Sequence, residues 1–144
     1  SVVVDLDGPW LLDVGFGDLF MEPIQIRTDL IQPDRDNDYL LQATGPETFR
    51  LLASRHGEHD FTPKYRFKLT PRKIEDFAEQ CRFKQTSPAS HFVQNFICTL
   101  PTEEGRKTVK NGVFKVRQGG GVEERVINDE AELKEVLAEH FGLG

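Results

Sequence analysis

The chain has 144 residues, enough for one domain or two small ones. Hydrophobic residues make up 38% and charged residues 29% of it, a globular composition that excludes a disordered chain. The net charge of −6 argues against general nucleic-acid binding, and no apolar run reaches the roughly 18 residues that a membrane-spanning helix needs. We therefore expect neither a nucleic acid nor a membrane as a partner.

The two cysteines indicate the compartment. Cys81 and Cys98 both lie in apolar surroundings, and neither belongs to a CxxC pair, so we expect buried free thiols in a cytoplasmic protein. No secretory signal opens the chain. The first residue, Ser1, already belongs to an apolar, strand-like run without a methionine, which suggests a fragment of a longer protein.

The first half of the chain has the residue pattern of antiparallel strands. Residues 1–6 and 10–14 flank a turn and predict a β-hairpin, after which Gly15 and Gly17 break the strand. Residues 18–38 predict short strands and loops. Residues 48–53 and 65–69 predict a second antiparallel pair around a polar loop, with Tyr65, Phe67 and Leu69 on one face.

At Thr70 the hydrophobic period becomes helical. Thr70 is a suitable N-cap and Pro71 fits the first helical position. An apolar helix face is predicted from the spacing of Ile74, Phe77, Ala78 and Cys81. We expect this helix to end near Phe83.

The last third alternates strands and turns before a closing helix. Residues 92–100 predict a buried strand. Asn111-Gly112 predicts a hairpin turn between strands at residues 106–109 and 113–117. A turn at residues 119–121 is followed by a further predicted strand at residues 122–127. Asn128 is predicted to cap a final helix that stops at Gly142. Its expected core face consists of Leu133, Val136, Leu137 and Phe141. The fold class is therefore α+β.

Asp13 is the first candidate for chemistry. It lies between Leu12 and Val14 in a predicted strand, where a carboxylate is costly unless it is paired or hydrogen-bonded. Such a carboxylate can accept a hydrogen bond from the Nδ1–H of a histidine and thereby fix the tautomer of the imidazole. The alternative is an acid at a strand end that bonds only the amides of the following turn.

Four segments in order resemble one family, the arylamine N-acetyltransferases. Residues 10–17 resemble the strand ending in Asp-x-Gly-Phe-Gly that carries the family's triad aspartate. Residues 65–77 resemble its strand-to-helix junction, residues 85–92 its Ser-Pro-x-Ser-x-Phe segment, and residues 95–106 the strand and turn that follow. The resemblance covers nearly the whole chain and identifies Asp13 as the expected catalytic aspartate.

The resemblance implies a domain organisation. Residues 1–70 would be the remainder of an antiparallel β-barrel, residues 71–84 a linking helix, and residues 85–144 an α/β lid of antiparallel sheet and C-terminal helix. The family's Arg-Gly-Gly-x-Cys stretch and its histidine motif do not occur in this sequence. The chain would then be a C-terminal part, inactive alone, whose partner is the N-terminal half of the same enzyme.

The resemblance also implies a reaction, in which acetyl-CoA as co-substrate acetylates the cysteine and an arylamine or hydrazine accepts the acetyl group; no metal is expected. Gly15, Phe16 and Gly17 would contact the acceptor, although a simple turn and core would explain them equally well. CoA would be contacted by Phe83, Ser87 and Ser90. Family members often have a tyrosine in place of Phe83 and a hydroxyl in place of Ala89, so those particular hydrogen bonds are in doubt.

Weaker signals have plainer explanations. Residues 61–84 carry seven basic and three acidic side chains, which suits either a solvated face or a polyanionic ligand. Residues 56–60 contain metal-ligand residue types but predict a solvated loop.

A rival interpretation of the whole chain is a non-catalytic CoA- or protein-binding module. A third interpretation is a purely structural fragment with exposed apolar surface.

Overall fold

The computed structural model describes residues 1–17 and 19–144. The chain divides into two compact units, Ser1–Arg72 and Lys73–Gly144, which are treated separately. Strand pairing is antiparallel in both, and the helices belong to the second unit, so the predicted α+β class is confirmed. Among the helices of the described residues, none has the length and apolar character needed to cross a membrane.

The first unit opens with the predicted hairpin. Its three strands are β1 (Val2–Asp5), β2 (Pro9–Leu12) and β3 (Ile24–Gln25), hydrogen-bonded in that order. Val4 pairs with Trp10 across the turn, where Gly8 has a φ of 130° that favours glycine. The hairpin prediction for residues 1–14 is thus confirmed, and β2 ends one residue before Asp13.

A second sheet completes the first unit. Its strands are β4 (Ile31–Asp34), β5 (Asn37–Gly45), β6 (Thr48–Arg55) and β7 (Thr62–Lys68), also in sequence order. The predicted pairing of residues 48–53 with residues 65–69 is present between β6 and β7. Strand β5, the longest of the described strands, was not predicted; its buried residues are Asp38, Tyr39 and Leu41.

The core of the first unit joins its two sheets. Leu11 and Ile24 from the first sheet pack with Leu41 and Leu51 from the second, and all four are buried. Burying each such side chain contributes about 1.5–3 kcal/mol. These contacts hold the β1–β2 hairpin, and with it Asp13, against the larger sheet.

The second unit begins differently from the prediction. A single 3-10 turn covers Ile74–Phe77, and α1 runs from Ala78 to Thr86, so the expected helix start at Pro71 with Thr70 as its cap is wrong. The Thr70 hydroxyl instead donates to the Glu47 carboxylate.

The apolar face predicted for this helix is also not a core face. Ile74 and Phe77 are exposed, as is Cys81, and α1 has no buried residue. The expectation of two buried thiols therefore holds only in part, for Cys98, which is partly buried. The spacing of apolar residues correctly indicates a helical period but not what covers the helix.

The predicted strand at residues 92–100 is shorter and less buried than expected. Ser90 caps a short helix, α2 (His91–Gln94), so that strand β8 (Ile97–Thr102) starts only after it. Three further strands follow as a meander, β9 (Gly105–Lys110), β10 (Val113–Gln118) and β11 (Gly121–Val126). Asn111 and Gly112 both have positive φ, 47° and 81°, which confirms the hairpin turn between β9 and β10.

The closing helix forms as predicted, and three of its four expected core residues pack on the sheet, whereas Leu137 is not among them. Helix α3 (Glu130–Phe141) ends at Gly142, whose φ is 68°. Its cap is Asp129, which accepts from the Glu132 amide, whereas the predicted cap Asn128 instead donates its own amides to the Glu132 carboxylate. The helix packs on the sheet through the buried residues Val109, Phe114 and Val136, with Leu133 and Phe141 partly buried around them.

The first unit offers a matched stability test. Leu51→Ala removes a fully buried side chain and should lower the free energy of unfolding by about 2–5 kcal/mol. Leu6→Ala makes the same chemical change at a site that is 74% exposed and should cost less than about 0.5 kcal/mol. Urea denaturation of both variants measures the difference, and equal losses would contradict the core described here.

Candidate functional site

Asp13 lies at the end of β2, where the hairpin opens. The β1–β2 register pairs Val2 with Leu12, so Asp13 stands opposite Ser1. The Ser1 hydroxyl donates to Asp13 Oδ2 at 2.8 Å. The Asp13 carboxylate therefore lies at the open end of the β1–β2 hairpin, next to the residue that precedes β1.

The other carboxylate oxygen of Asp13 is held by its own turn. The amides of Gly15 and Phe16 donate to Oδ1 at 3.0 and 3.2 Å. Aspartate commonly bonds the backbone two or three residues ahead in this way, which fixes both its rotamer and the turn. One oxygen thus anchors the side chain and the other faces the start of β1.

Tyr65 completes the surroundings of this carboxylate. Its hydroxyl oxygen lies 3.4 Å from Ser1 Oγ, and its ring packs against Phe16 with centroids 5.7 Å apart. Burial raises the pKa of Tyr65 well above its ordinary value, and the neighbouring Asp13 carboxylate adds to this effect. The phenol therefore stays protonated and can donate to Asp13.

The Asp13 carboxyl remains ionised. Its partial burial raises the pKa, but hydrogen bonds from the Ser1 and Tyr65 hydroxyls and from the Gly15 amide outweigh burial, so the net pKa lies below the ordinary 3.8. A charged, anchored acceptor is what an imidazole Nδ1–H requires as a partner. The alternative interpretation, an acid that bonds only turn amides, does not account for the two hydroxyls.

Sequence reasoning did not identify Tyr65 as a site residue. The alternation along β7 places it on the same face as Phe67, but nothing in the pattern shows what its hydroxyl reaches. A general rule could have pointed to Tyr65: the hydroxyl of a tyrosine at a partly buried strand position needs a hydrogen-bond partner.

The three predicted acceptor residues lie together beside Asp13. Gly15, Phe16 and Gly17 are all exposed, and Phe16 keeps 45% of its surface accessible although one side covers Tyr65. The alternative of Phe16 as an ordinary core residue does not fit this exposure. An accessible aromatic ring next to the Asp13 carboxylate can contact a flat apolar molecule.

The three predicted CoA residues are brought together in the second unit, around the end of α1. The Ser87 amide donates to the Phe83 carbonyl at 3.0 Å, and the Ser90 amide donates to the Ser87 carbonyl at 2.9 Å. Phe83 is 46% exposed, whereas Ser90 is buried and donates its hydroxyl proton to the Lys84 carbonyl. Ser87 Oγ accepts from the Ala89 amide, so its own proton can be donated to a ligand.

Both cysteines and two of the histidines, His91 and His140, belong to the second unit, whereas Asp13 belongs to the first. Cys81 Sγ accepts from Gln85 on α1, and burial raises the pKa of Cys98, which favours the unreactive thiol. His140 stacks on Phe114 with centroids 4.6 Å apart. In the described part of the chain, no cysteine is hydrogen-bonded to a histidine.

The loop at residues 56–60 is anchored by a buried acid. Asp38, 4% exposed, accepts from the Gly57 amide at 3.0 Å and lies 2.7 Å from His56 Nδ1. The Gly57 hydrogen bond and then that of His56 hold the pKa of Asp38 below its ordinary value. Residues 1–17 and 19–144 contain no group of three or more His, Cys, Asp or Glu side chains placed to hold a metal ion.

Comparison with known proteins places this geometry in a family. A family model described as N-acetyltransferase matches residues 1–144. The arylamine N-acetyltransferase of Escherichia coli K12 is 32% identical over 138 residues, which are 94% of this chain and 48% of that protein.

Two solved structures show the same fold. The arylamine N-acetyltransferase of Salmonella typhimurium superposes with a TM-score of 0.86 at 28% identity, covering 98% of this chain and 52% of that one. The enzyme of Mycobacterium marinum in complex with CoA gives 0.81 at 26% identity, covering 94% and 49%. This chain belongs to the arylamine N-acetyltransferase family, and it spans about half the length of the relatives it matches.

The titration of Asp13 tests this site directly. In wild type its NMR carboxyl titration should have a midpoint below 3.8, and Tyr65→Phe, which removes one donor, should raise that midpoint. Because the folded pKa is depressed, the charged form stabilises the fold at neutral pH, and this contribution is lost as the pH falls through the folded pKa. Tyr39→Phe changes the other tyrosine of the chain and should leave the midpoint unchanged; equal titrations in all three proteins would exclude Tyr65 as a partner.

Proposed function

We propose that this chain is the C-terminal part of an acetyltransferase that moves an acetyl group from acetyl-CoA to arylamines or hydrazines through an acetyl-cysteine. The observation that carries the proposal is the ionised Asp13 carboxylate, anchored by Gly15 and Phe16 and facing the start of β1. Cysteine and histidine would come from an N-terminal half, which is the partner of this chain.

The hairpin register supports a histidine at a definite place. Side chains two residues apart lie on the same face of a strand, so a residue two positions before Ser1 would share the face of Ser1 and lie diagonal to Asp13. Diagonal neighbours are about 7–8 Å apart at the backbone, within reach of a long or aromatic side chain. An imidazole there could donate Nδ1–H to Asp13, whose oxygens accept more than one hydrogen bond.

The reaction would then proceed in two steps. The cysteine thiolate attacks the thioester carbonyl carbon, the carbon–sulfur bond to CoA breaks, and CoA leaves as its thiol after taking a proton from the protonated histidine. An amine then attacks the acetyl-cysteine, the histidine accepts the proton that the amine loses, and the cysteine is released. Asp13 would orient the imidazole and stabilise its protonated form throughout.

The acceptor would lie against the turn that follows Asp13. Phe16, half exposed, offers an aromatic face, while Gly15 and Gly17 add no side chain beside it. A flat arylamine fits such a surface because ring stacking and apolar burial both favour it.

CoA would be bound from the second unit, through the exposed ring of Phe83 and the hydroxyl of Ser87. Ser90 would contribute by fixing the turn, since it is buried, donates its proton to the Lys84 carbonyl and accepts from the Phe92 amide. The M. marinum relative was solved with CoA, which supports acetyl-CoA as co-substrate.

In this proposal the first unit is the remainder of the barrel, α1 is the linking helix, and the rest of the second unit is the lid. The two free thiols are compatible with the reducing environment of the cytoplasm.

The mutation Asp13→Asn tests the catalytic role. Asparagine can present an amide N–H to the imidazole and favour the wrong tautomer, so acetylation by the complete gene product should fall by about 10⁴-fold. The matched control Asp5→Asn changes an exposed acid of β1 and should retain activity. Near-normal turnover in Asp13→Asn would remove Asp13 from the mechanism.

The same acetyl-transfer assay can test whether activity requires both the N-terminal half and this chain. The complete gene product should transfer acetyl from acetyl-CoA to a simple arylamine, while residues 1–144 alone should not. Adding an N-terminal half in trans should restore turnover. If the complete product binds CoA without transferring acetyl, the rival function, a non-catalytic CoA- or protein-binding module, replaces the enzyme.

A further inference from the structure

The β9–β10 turn reaches the segment that precedes β8 through one side chain. Asn111 and Phe96 exchange two hydrogen bonds, since Phe96 N donates to Asn111 Oδ1 and Asn111 N donates to the Phe96 carbonyl, both at 3.0 Å. Asn111 Nδ2 also donates to Asn95 Oδ1 at 2.7 Å. A hairpin tip thus bonds three groups of a neighbouring segment with a single asparagine.

The chain of bonds continues into α2. Asn95 Nδ2 donates to the His91 carbonyl at 2.8 Å and lies 2.9 Å from His91 Nδ1, where the imidazole accepts. Asn111, Asn95 and His91 therefore form a continuous side-chain relay, which we call the hairpin clasp. It closes the C-terminal end of α2, a helix too short to be stable without such contacts.

The other end of α2 belongs to the turn that carries Ser87. Ser90 caps the helix by accepting from the Phe92 amide, and Gln94 on the last turn donates to the Pro88 carbonyl at 2.7 Å. A shift of α2 would therefore move Pro88 and Ser87 with it. The clasp is one side-chain connection between the β-sheet and this turn.

We propose that Asn111 is a positioning residue for CoA, which holds Ser87 and Phe83 in place through the hairpin clasp without touching the co-substrate. This inference rests on the proposed binding of CoA by the segment at residues 83–90. The mechanism predicts an effect on affinity for CoA and not on the chemistry at Asp13. Aspartate or glycine at position 111 would keep the hairpin, because both tolerate positive φ, yet each would break the clasp.

The sharpest variant is Asn111→Gly in the complete gene product. The turn is retained and only the side-chain bonds are lost, so the Kd for CoA, measured by calorimetry, should rise about 5-fold or more. The rate of cysteine acetylation at saturating acetyl-CoA should stay within about 2-fold of wild type. Asn111→Asp keeps the bond from Phe96 but turns an oxygen toward Asn95 Oδ1, and it should raise the Kd at least as much.

A matched control separates positioning from general destabilisation. Gln118 is bonded through its amide to Glu104 at the opposite end of the same sheet, so Gln118→Ala removes a comparable bond and should leave the Kd for CoA unchanged. An equal rise in Gln118→Ala, or an unchanged Kd in Asn111→Gly while wild type binds CoA, would overturn the clasp alone. Failure of the wild-type protein to bind CoA at all would instead overturn the proposed function, and the clasp with it.

Discussion

Asp13 keeps its charge beside an apolar strand because two backbone amides and two hydroxyls surround it. A carboxylate without such partners would protonate or turn to water, since desolvation disfavours the ion. Each partner comes from a different constraint: the amides from the turn after β2, Ser1 from the hairpin register, and Tyr65 from β7 in the other sheet. The packing of the two sheets in the first unit is therefore also what fixes the electrostatics of the site.

The two units rely on different means of stabilisation. The first buries aliphatic and aromatic side chains from both of its sheets, whereas the second has a small core around Val109, Phe114 and Val136. The rest of the second unit depends on caps and side-chain hydrogen bonds, as in the turn between α1 and β8. Several of its large apolar side chains, Ile74 and Phe77 among them, are exposed.

The capping residues were predicted wrongly because each of them can form more than one hydrogen bond. Thr70 and Asn128 both have good capping chemistry, but Thr70 bonds Glu47 and Asn128 bonds Glu132, while Asp129 takes the cap. Ser90, not expected as a cap, starts a helix where an apolar run predicted a strand. A residue type states which bonds are possible, and the nearest available partner decides which one forms.

The sequence by itself determined the class of the fold, the turns at Gly8 and Gly112, and the end of α3 at Gly142. These features depend on neighbours within a few positions, where backbone angles and periodicity are sufficient to predict structure. Asp13 was identified through the family resemblance, and its catalytic role, the domain division and the roles of the acceptor and CoA residues remain predictions. Only the tertiary structure revealed Tyr65 beside Asp13, strand β5 with its buried Asp38, and the relay from Asn111 to His91. Each of these joins side chains that are distant along the chain or belong to different elements, and such pairings depend on sheet order and loop path, which no local pattern specifies.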